Sequence, residues 1–375
     1  MELLEIVKFA EEYLLKYSFS KPRLEAEKII SYVLNLDRIG LYTNFELVLS
    51  IEEKNEIKKY LKRMVEENSS FDKLEKNKNS DFKEVNMELL EKTKKYLKDY
   101  GVEEYKLDSE YIFSTALGCN RSFLSIQLSK ELNIEVLNEI KRMTILRGKF
   151  RKPIQQILGN WEFYGYPFKI NENVLIPRSD TEILVEQCKF LMMDKIDVKI
   201  LDIGTGSGAI SVVLGKELSN SAILGVDISE EALKMAKINA ELNNTKNVSF
   251  RKSDIFSAVT ETYELIVSNP PYIPKDEYEE LQIEVKNHEP KLALTDNGDG
   301  YFFYEKITKE AGKYLKEGGY LAFEVGYNQA EKVSDLMIQN KLKVVKIVND
   351  YGGKARVVIG IKSGEEADVN KIIGL

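Results

Sequence analysis

The stretch Lys199-Ile200-Leu201-Asp202-Ile203-Gly204-Thr205-Gly206-Ser207-Gly208 sets a short apolar run directly before three alternate glycines. A few apolar, β-branched residues ending on glycine read as a buried strand, and glycine permits the tight turn that follows. Ser211 to Leu218 continue at helical spacing, so the unit is strand, loop, helix. The alternation persists downstream. Ala222 to Asp227, Val248 to Arg251, Tyr263 to Ser268 and Tyr320 to Glu324 read as strands. Glu230 to Leu242, Phe302 to Leu315 and Lys332 to Gln339 read as helices. Such a pattern predicts an α/β fold with a mostly parallel, doubly wound sheet. The last two strands, Lys343 to Val348 and Ala355 to Ile361, are joined by Asp350-Tyr351-Gly352-Gly353. They predict a hairpin that adds an antiparallel edge strand.

Open α/β sheets bind ligands outside the carboxyl ends of their strands. Gly204, Thr205, Gly206, Ser207 and Gly208 are therefore candidate ligand contacts. Asp227, ending the next strand, is placed to accept hydrogen bonds from ribose hydroxyls. The spacing Gly204-x-Gly206-x-Gly208 departs from the G-x-G-x-x-G of dinucleotide enzymes, and a carboxylate at Asp202 would repel a pyrophosphate. It suits a cationic, amino-acid-bearing nucleoside such as S-adenosylmethionine. Asp254, after the third strand, is a candidate acceptor for an adenine amino group, with Ile255 packed on the ring face. An aspartate there is as often a helix cap.

Asn269-Pro270-Pro271-Tyr272 follows the strand ending at Ser268. Two adjacent prolines cannot continue a sheet ladder, so they stiffen the loop and leave carbonyls without strand partners. The Asn269 side-chain oxygen and the Pro270 carbonyl can each accept one N–H of a planar NH2 group. Tyr272 can wall the pocket and stack on a planar group. A nitrogen held in this way can displace a methyl group from a sulfonium chiefly through positioning and fixed dipoles. No general base is needed first, because the alkylated nitrogen is acidic enough to lose a proton afterwards. This chemistry leaves both amide and nucleic-acid base substrates open.

Composition narrows the field. A chain of 375 residues calls for two or three domains. No apolar run reaches 18 residues, and the acidic, amphipathic Met1-Glu2-Leu3-Leu4-Glu5 lacks the features of a secretory signal. Two scattered cysteines, Cys119 and Cys188, argue against a disulfide framework and point to the cytoplasm. With His288 as the single histidine, no metal site is expected. The net charge of −7 disfavours non-specific nucleic-acid binding. One basic cluster, Lys141, Arg142, Arg147, Lys149, Arg151 and Lys152, reads as a solvated helix end and linker.

Residues 1–66 and 87–148 carry helical patterns that resemble one another. Leu24 to Ile30 parallels Leu107 to Phe113, Asp37-Arg38 parallels Asn120-Arg121, and Glu56 to Met64 parallels Glu139 to Met143. A duplicated small helical domain is expected. The mostly polar residues 67–86 read as a linker between the copies.

Over roughly residues 87–362 the chain resembles the peptide chain release factor N5-glutamine methyltransferases. The resemblance rests on Pro153-Ile154-Gln155-Gln156-Ile157-Leu158-Gly159, Trp161-Glu162-Phe163-Tyr164-Gly165 and Leu175-Ile176-Pro177-Arg178-Ser179-Asp180-Thr181-Glu182. It continues through the glycine loop, Ser268 to Ile273, Glu289-Pro290, Asp296-Asn297-Gly298, Glu324-Val325-Gly326, Asp350-Tyr351 and Arg356. It implies a class I S-adenosylmethionine-dependent methyltransferase fold with a seven-stranded sheet, preceded by an all-α region. Taken with the helical patterns, the expected boundaries are a helical domain over 1–66, the linker 67–86, a substrate-recognition domain over 87–152, a connecting β-hairpin over 153–178, the methyltransferase domain over 179–362 and a polar tail over 363–375.

The implied reaction converts S-adenosylmethionine to S-adenosylhomocysteine while methylating the glutamine amide of the Gly-Gly-Gln tripeptide in bacterial class-1 release factors. By the resemblance, Gly204 to Gly208, Asp227 and Ile255 contact the cofactor. Asn269 contacts both cofactor and glutamine, while Pro270 to Tyr272 and Phe163 shape the glutamine pocket. A cytoplasmic monomer that binds neither membrane nor stable nucleic acid is expected. The chain departs from the family in Ser179, which replaces the usual proline and is expected to form a capping box with Glu182. It departs also in residues 1–86, expected to be absent from the family. Methylation of an exocyclic amino group of a DNA or rRNA base is the alternative, though such enzymes usually carry a basic recognition region. A complete glycine loop together with the tetrad speaks against a non-enzymatic binding module.

Overall fold

The computed structural model describes residues 2–44 and 46–363, with backbone alone over 77–80. Most of the expected polar tail, from 364 on, lies outside the described residues. Contacts divide the chain into two units: residues 1–99 with 103–142, and residues 100–102 with 143–375.

The first unit is helical. It contains α1 (Leu3–Lys16), α2 (Pro22–Leu34), α3 (Arg38–Thr43), α4 (Ile51–Glu66), α5 (Phe71–Asp99), α6 (Tyr105–Ala116), α7 (Leu124–Gln127) and most of α8 (Ile134–Gly148). Apolar residues at helical spacing on α1, α2 and α4 bury Leu3, Ile6, Ala10, Leu14, Ile29, Ile30, Leu61 and Met64 in one core. The expected linker is corrected here. From Phe71 onward it is the first half of the 29-residue α5. Phe71 and Leu74 bury in the first core, and further along the helix Asn86 donates to the carbonyls of Leu128 and Lys130, both at 2.9 Å. Phe71 and Leu74 anchor its start, Asn86 its middle, and the buried Leu90 and Leu97 its second half.

The two helical blocks repeat a specific contact. Arg38 Nη2 meets Glu27 Oε2 at 2.6 Å, and Arg121 Nη2 meets Glu110 Oε2 at 3.1 Å. Each partner in the second pair follows its counterpart by the same interval in sequence, 27 to 110 and 38 to 121. Ile57 and Ile140, at that interval again, are both buried.

The second unit begins with α9 (Ile154–Leu158) and the hairpin β1 (Asn160–Phe163) and β2 (Tyr166–Lys169), which lies inside the expected connecting segment. Then come α10 (Ser179–Met192), β3 (Lys199–Ile203), α11 (Ala209–Glu217), β4 (Ala222–Asp227), α12 (Glu230–Leu242), β5 (Val248–Lys252) and β6 (Tyr263–Ser268). After α13 (Lys275–Glu279), α14 (Ile283–His288) and α15 (Phe302–Tyr314) the chain forms β7 (Leu315–Glu324), α16 (Ala330–Gln339), β8 (Leu342–Asn349) and β9 (Ala355–Lys362).

The seven-stranded sheet has the order β5-β4-β3-β6-β7-β9-β8. One layer packs α10 and α11 on Ile200, Leu265, Val267 and Ile359; the other packs α15 and α16 on Leu201, Ile266, Leu321 and Phe323. The doubly wound expectation holds, with one correction. The single antiparallel strand, β9, is not at the edge but between β7 and β8. Val357, Val358 and Ile359 are fully buried, whereas β8 exposes Lys343 and Lys346. A strand apolar on both faces belongs inside a sheet, and the more polar partner takes the edge.

The capping box on α10 is also absent. Arg178 is the cap position and makes no side-chain capping bond. Ser179 is the first helical residue, where proline is tolerated, and the Glu182 carboxylate instead accepts the Tyr164 backbone N–H at 2.8 Å.

Candidate active site

Strand register carries the site residues to one level. Ile203 pairs in parallel with Val226 on one side and Ser268 on the other. Gly204, Asp227 and Asn269 therefore leave the sheet together, at the switch point where the strand order reverses. Asp227 in turn pairs with Lys252, which brings Asp254 and Ile255 alongside.

A cavity of about 590 Å³ opens at this edge. Gly204, Gly206, Asp227, Asp254, Ile255, Asn269, Pro270 and Pro271 line it, and α15 closes it with Phe302, Phe303 and Ile307. Gly204 has φ +73°, and a Cβ there would project into open space. The wall thus combines a close backbone approach, the carboxylates of Asp227 and Asp254, and an apolar face. That set fits a nucleoside bearing a cationic amino acid.

Other expected contacts turn away from the cavity. Thr205 points inward and donates to Asp202 Oδ2 at 2.6 Å. Ser207 is buried, its carbonyl accepting from Asn239 Nδ2 at 2.9 Å. Gly208 caps α11. Phe163 is a core residue rather than a pocket wall, set edge-to-face against Phe168 at 5.9 Å. Every second strand residue faces one side, and its side faces the core. The Tyr272 ring packs on the core beside α15, outside the cavity lining.

Asp202 is fully buried. Thr205 and Ser211 each donate to Oδ2 at 2.6 Å, and Oδ1 has no partner. Burial pushes its pKa up to about 6, opposed by those two hydroxyls and assisted by the nearby charge of Asp227. Asp227 accepts the Gly206 N–H and the Ser229 N–H, both at 2.9 Å. Burial raises its pKa as well, against those backbone bonds. Both groups gain a proton more readily than free aspartate, and a cationic ligand favours their ionised forms. Affinity for S-adenosylmethionine is expected to be flat above about pH 7 and to weaken as pH falls through 6, approaching about tenfold per pH unit for one linked proton. Calorimetric titration between pH 5 and 8 checks this, and tighter binding in acid would contradict it.

Ile255 sits at φ +52°, a costly conformation for a β-branched residue. The Ser253 hydroxyl imposes it by donating to the Ile255 carbonyl at 2.9 Å while accepting the Ala258 N–H at 3.0 Å. The strain turns the side chain onto the cavity wall. The Asp254 side chain, exposed beside it, has no hydrogen-bond partner among the described residues.

At the tetrad, Asn269 Nδ2 donates to Thr181 Oγ1 at 3.2 Å. Among the described residues nothing donates to Asn269 Oδ1 or to the Pro270 carbonyl. Two acceptors without a donor therefore belong to adjacent residues of the cavity lining. The loop is held from behind. Gln329 Nε2 donates to the Tyr272 carbonyl at 3.0 Å, and a Cβ on Gly300 (φ +82°) would stand 2.3 Å from that oxygen. Thr181, Gln329 and Gly300 were not legible as site residues, because nothing local in their sequence marks a contact made across the fold.

The basic cluster is only partly the solvated run expected of it, because Arg147 is buried and Arg151 half-buried. Of the basic cluster, Arg142 pairs with Glu139, Arg147 and Arg151 with Glu284, and Lys152 with Glu172. A ring nitrogen of His288 lies 2.7 Å from the Phe150 carbonyl. Among the described residues no group of three or more potential ligands could hold a metal ion, and no helix is long and apolar enough to cross a membrane.

The methyltransferase domain family matches residues 194–368, and the PrmC N-terminal domain family matches residues 5–67 and 88–159. A release factor glutamine methyltransferase of Fusobacterium nucleatum is 53% identical over 352 residues, covering 91% of this chain and 99% of that protein. One from Geobacter sulfurreducens is 39% identical over 272 residues, covering 72% of this chain and 95% of its own length. Another, from Bacillus subtilis, is 35% identical over 282 residues, 73% of this chain and 96% of that protein. The Fusobacterium match leaves too few residues outside it to omit the block 1–86, so that relative carries it, whereas the Geobacter and Bacillus proteins, matched over 95% and 96% of their own length, span only 72% and 73% of this chain. A class I methyltransferase fold, a cavity suited to S-adenosylmethionine and these relatives agree: the chain belongs to the release factor glutamine methyltransferase family.

Proposed function

We propose that this protein methylates the side-chain amide nitrogen, N5, of the glutamine in the Gly-Gly-Gln tripeptide of class-1 release factors. S-adenosylmethionine, when bound, supplies an electrophilic methyl group and leaves as S-adenosylhomocysteine. The carrying observation is the pair of free acceptors, Asn269 Oδ1 and the Pro270 carbonyl, on the wall of the cavity. An amide NH2 offers two N–H groups, and two fixed acceptors hold both. They draw electron density onto a nitrogen whose lone pair is otherwise delocalised into the carbonyl, and their dipoles favour the charge that develops on it. Asp227, Asp254 and Ile255 are assigned to the nucleoside, with Asp227 facing the ribose and Asp254 with Ile255 facing the base.

Residues 1–66 are, on this reading, a second copy of the helical domain that precedes the catalytic unit. Support comes from the two stretches matched by one domain family and from the Glu–Arg pair that recurs at a constant interval.

The test is transfer of labelled methyl from S-adenosylmethionine to a purified release factor. Labelling is expected with the intact Gly-Gly-Gln and is expected to vanish when its glutamine becomes alanine. Equal labelling of the alanine variant, or labelling of DNA or RNA instead, would overturn the assignment.

A further inference from the structure

Behind the two acceptors a line of polar side chains runs from the cavity wall into the core. Asn269 Nδ2 donates to Thr181 Oγ1 at 3.2 Å. Thr181, on the first turn of α10, is 5% exposed. Behind it, Glu324 ends β7 at 1% exposure, and the polar side chains of Thr181 and Asn269 favour the ionised form of its carboxyl. Its Oε2 has no partner.

Proton counting gives this line a direction. A threonine hydroxyl has one proton, and an ionised carboxylate only accepts. A Thr181 hydroxyl turned toward the Glu324 carboxylate spends its one proton there and can only accept from Asn269, which is the direction of the 3.2 Å contact. The amide is planar, so turning Nδ2 inward turns Oδ1 toward the cavity. The opposite orientation would present an NH2 group to the substrate's own NH2 and lose one of the two acceptors.

We propose that Thr181 and Glu324 are positioning residues that fix the polarity of the Asn269 amide, with Glu324 as the terminal acceptor that keeps Oδ1 facing the substrate nitrogen. This rests on Asn269 being the acceptor for the glutamine amide.

The surroundings make the device sensitive to pH. Arg356 from β9 and Asp180 from α10 face the Glu324 carboxyl, as do Tyr272 beyond β6 and Tyr304 of α15. Tyr304 donates to the Glu324 backbone carbonyl at 2.8 Å. Burial pushes Glu324 up to about 7, opposed by the Thr181 hydroxyl and the Arg356 charge. Once protonated, Glu324 becomes a donor. The hydroxyl line can then reverse, and the amide loses its reason to keep Oδ1 outward. The productive arrangement is therefore present above this pKa and is lost as pH falls through it.

The experiment uses the full-length protein with S-adenosylmethionine and a release factor, and measures kcat, KM and calorimetric cofactor affinity for four variants. Thr181→Val is expected to lower kcat about tenfold, the worth of one hydrogen bond, with unchanged cofactor affinity. Thr181→Ser, which keeps the hydroxyl, is expected to recover most of that loss, which a packing role for the methyl group would not allow. The wild-type kcat is expected to fall below about pH 7, and Glu324→Gln to be slow with no such acid limb. If Thr181→Val fails to fold, the serine variant and the pH profile of Glu324→Gln still decide. Full kcat in Thr181→Val beside an inactive Asn269→Ala would overturn the proposal alone, as would an acid limb that persists in Glu324→Gln. Full activity in Asn269→Ala would overturn both this inference and the assignment beneath it.

Discussion

Replacing Asn269 with alanine is expected to lower kcat roughly 10²- to 10³-fold, the range for removing one preorganised polar group at a reacting centre. Cofactor affinity is expected to change by less than about threefold. Nδ2 is committed to Thr181, and Oδ1 is the acceptor assigned to the substrate nitrogen. Its loss removes an acceptor for the transferred nitrogen but leaves Asp227, Ile255 and Gly204 on the nucleoside side of the cavity. An interaction made with the reacting nitrogen shows in kcat, whereas uniform binding shows in KM. Rapid-quench methyl transfer with a saturating release factor, beside calorimetry of the cofactor, separates the two. A full rate would remove Asn269 from the chemistry. A rate loss matched by an equal loss of cofactor affinity would make it a cofactor ligand.

Glu284→Ala is expected to destabilise the protein by about 3–5 kcal/mol, the usual cost of removing one partner from a buried ion pair. Glu284 lies on the short α14 and accepts from Arg147 at 3.0 Å and from Arg151 at 2.9 Å. The Glu284 and Arg147 side chains are only 11% and 9% exposed. The alanine variant would leave two guanidinium groups without their shared anion. Burial opposes ionisation of Glu284, yet hydrogen bonds from Arg151 and then Arg147 hold its pKa below the usual glutamate value. Its contribution is therefore full above the unfolded-state pKa near 4.3 and is lost as pH falls through the lower folded value. Urea unfolding at pH 7 measures the loss. The gap between wild type and variant should narrow in acid, and a gap that widens there would contradict the assignment.

Much of the catalytic unit could be read from local pattern. Lys199 to Ile203, Ala222 to Asp227 and Tyr263 to Ser268 are strands with the bounds expected of them, because a buried parallel strand must be an uninterrupted apolar run. The glycine loop and the tetrad were visible for a related reason. A left-handed turn favours glycine, and proline makes a rigid strand exit, so the residue type itself reports the backbone. The first half of helix α5 was hidden. Its polar middle carries no apolar stripe, and it is held by distant anchors such as Asn86 on Leu128 and Lys130. The capping box on α10 misled because Glu182 has a competing partner in the Tyr164 N–H.

The amino-acid sequence by itself determined the order of strands and helices, the glycine turn, the proline exit at Asn269 and the family. These follow from chain-local sterics and from hydrophobic periodicity, both of which act within a few residues. Tertiary structure alone decided which loop atoms face the cavity, why β9 lies inside the sheet and why Phe163 belongs to the core. It alone brought Thr181 and Glu324 behind Asn269, from positions 88 and 55 residues away in the chain. Burial, hydrogen-bond direction and a shifted carboxyl pKa are properties of surroundings, and those surroundings exist only once the strands have found their register.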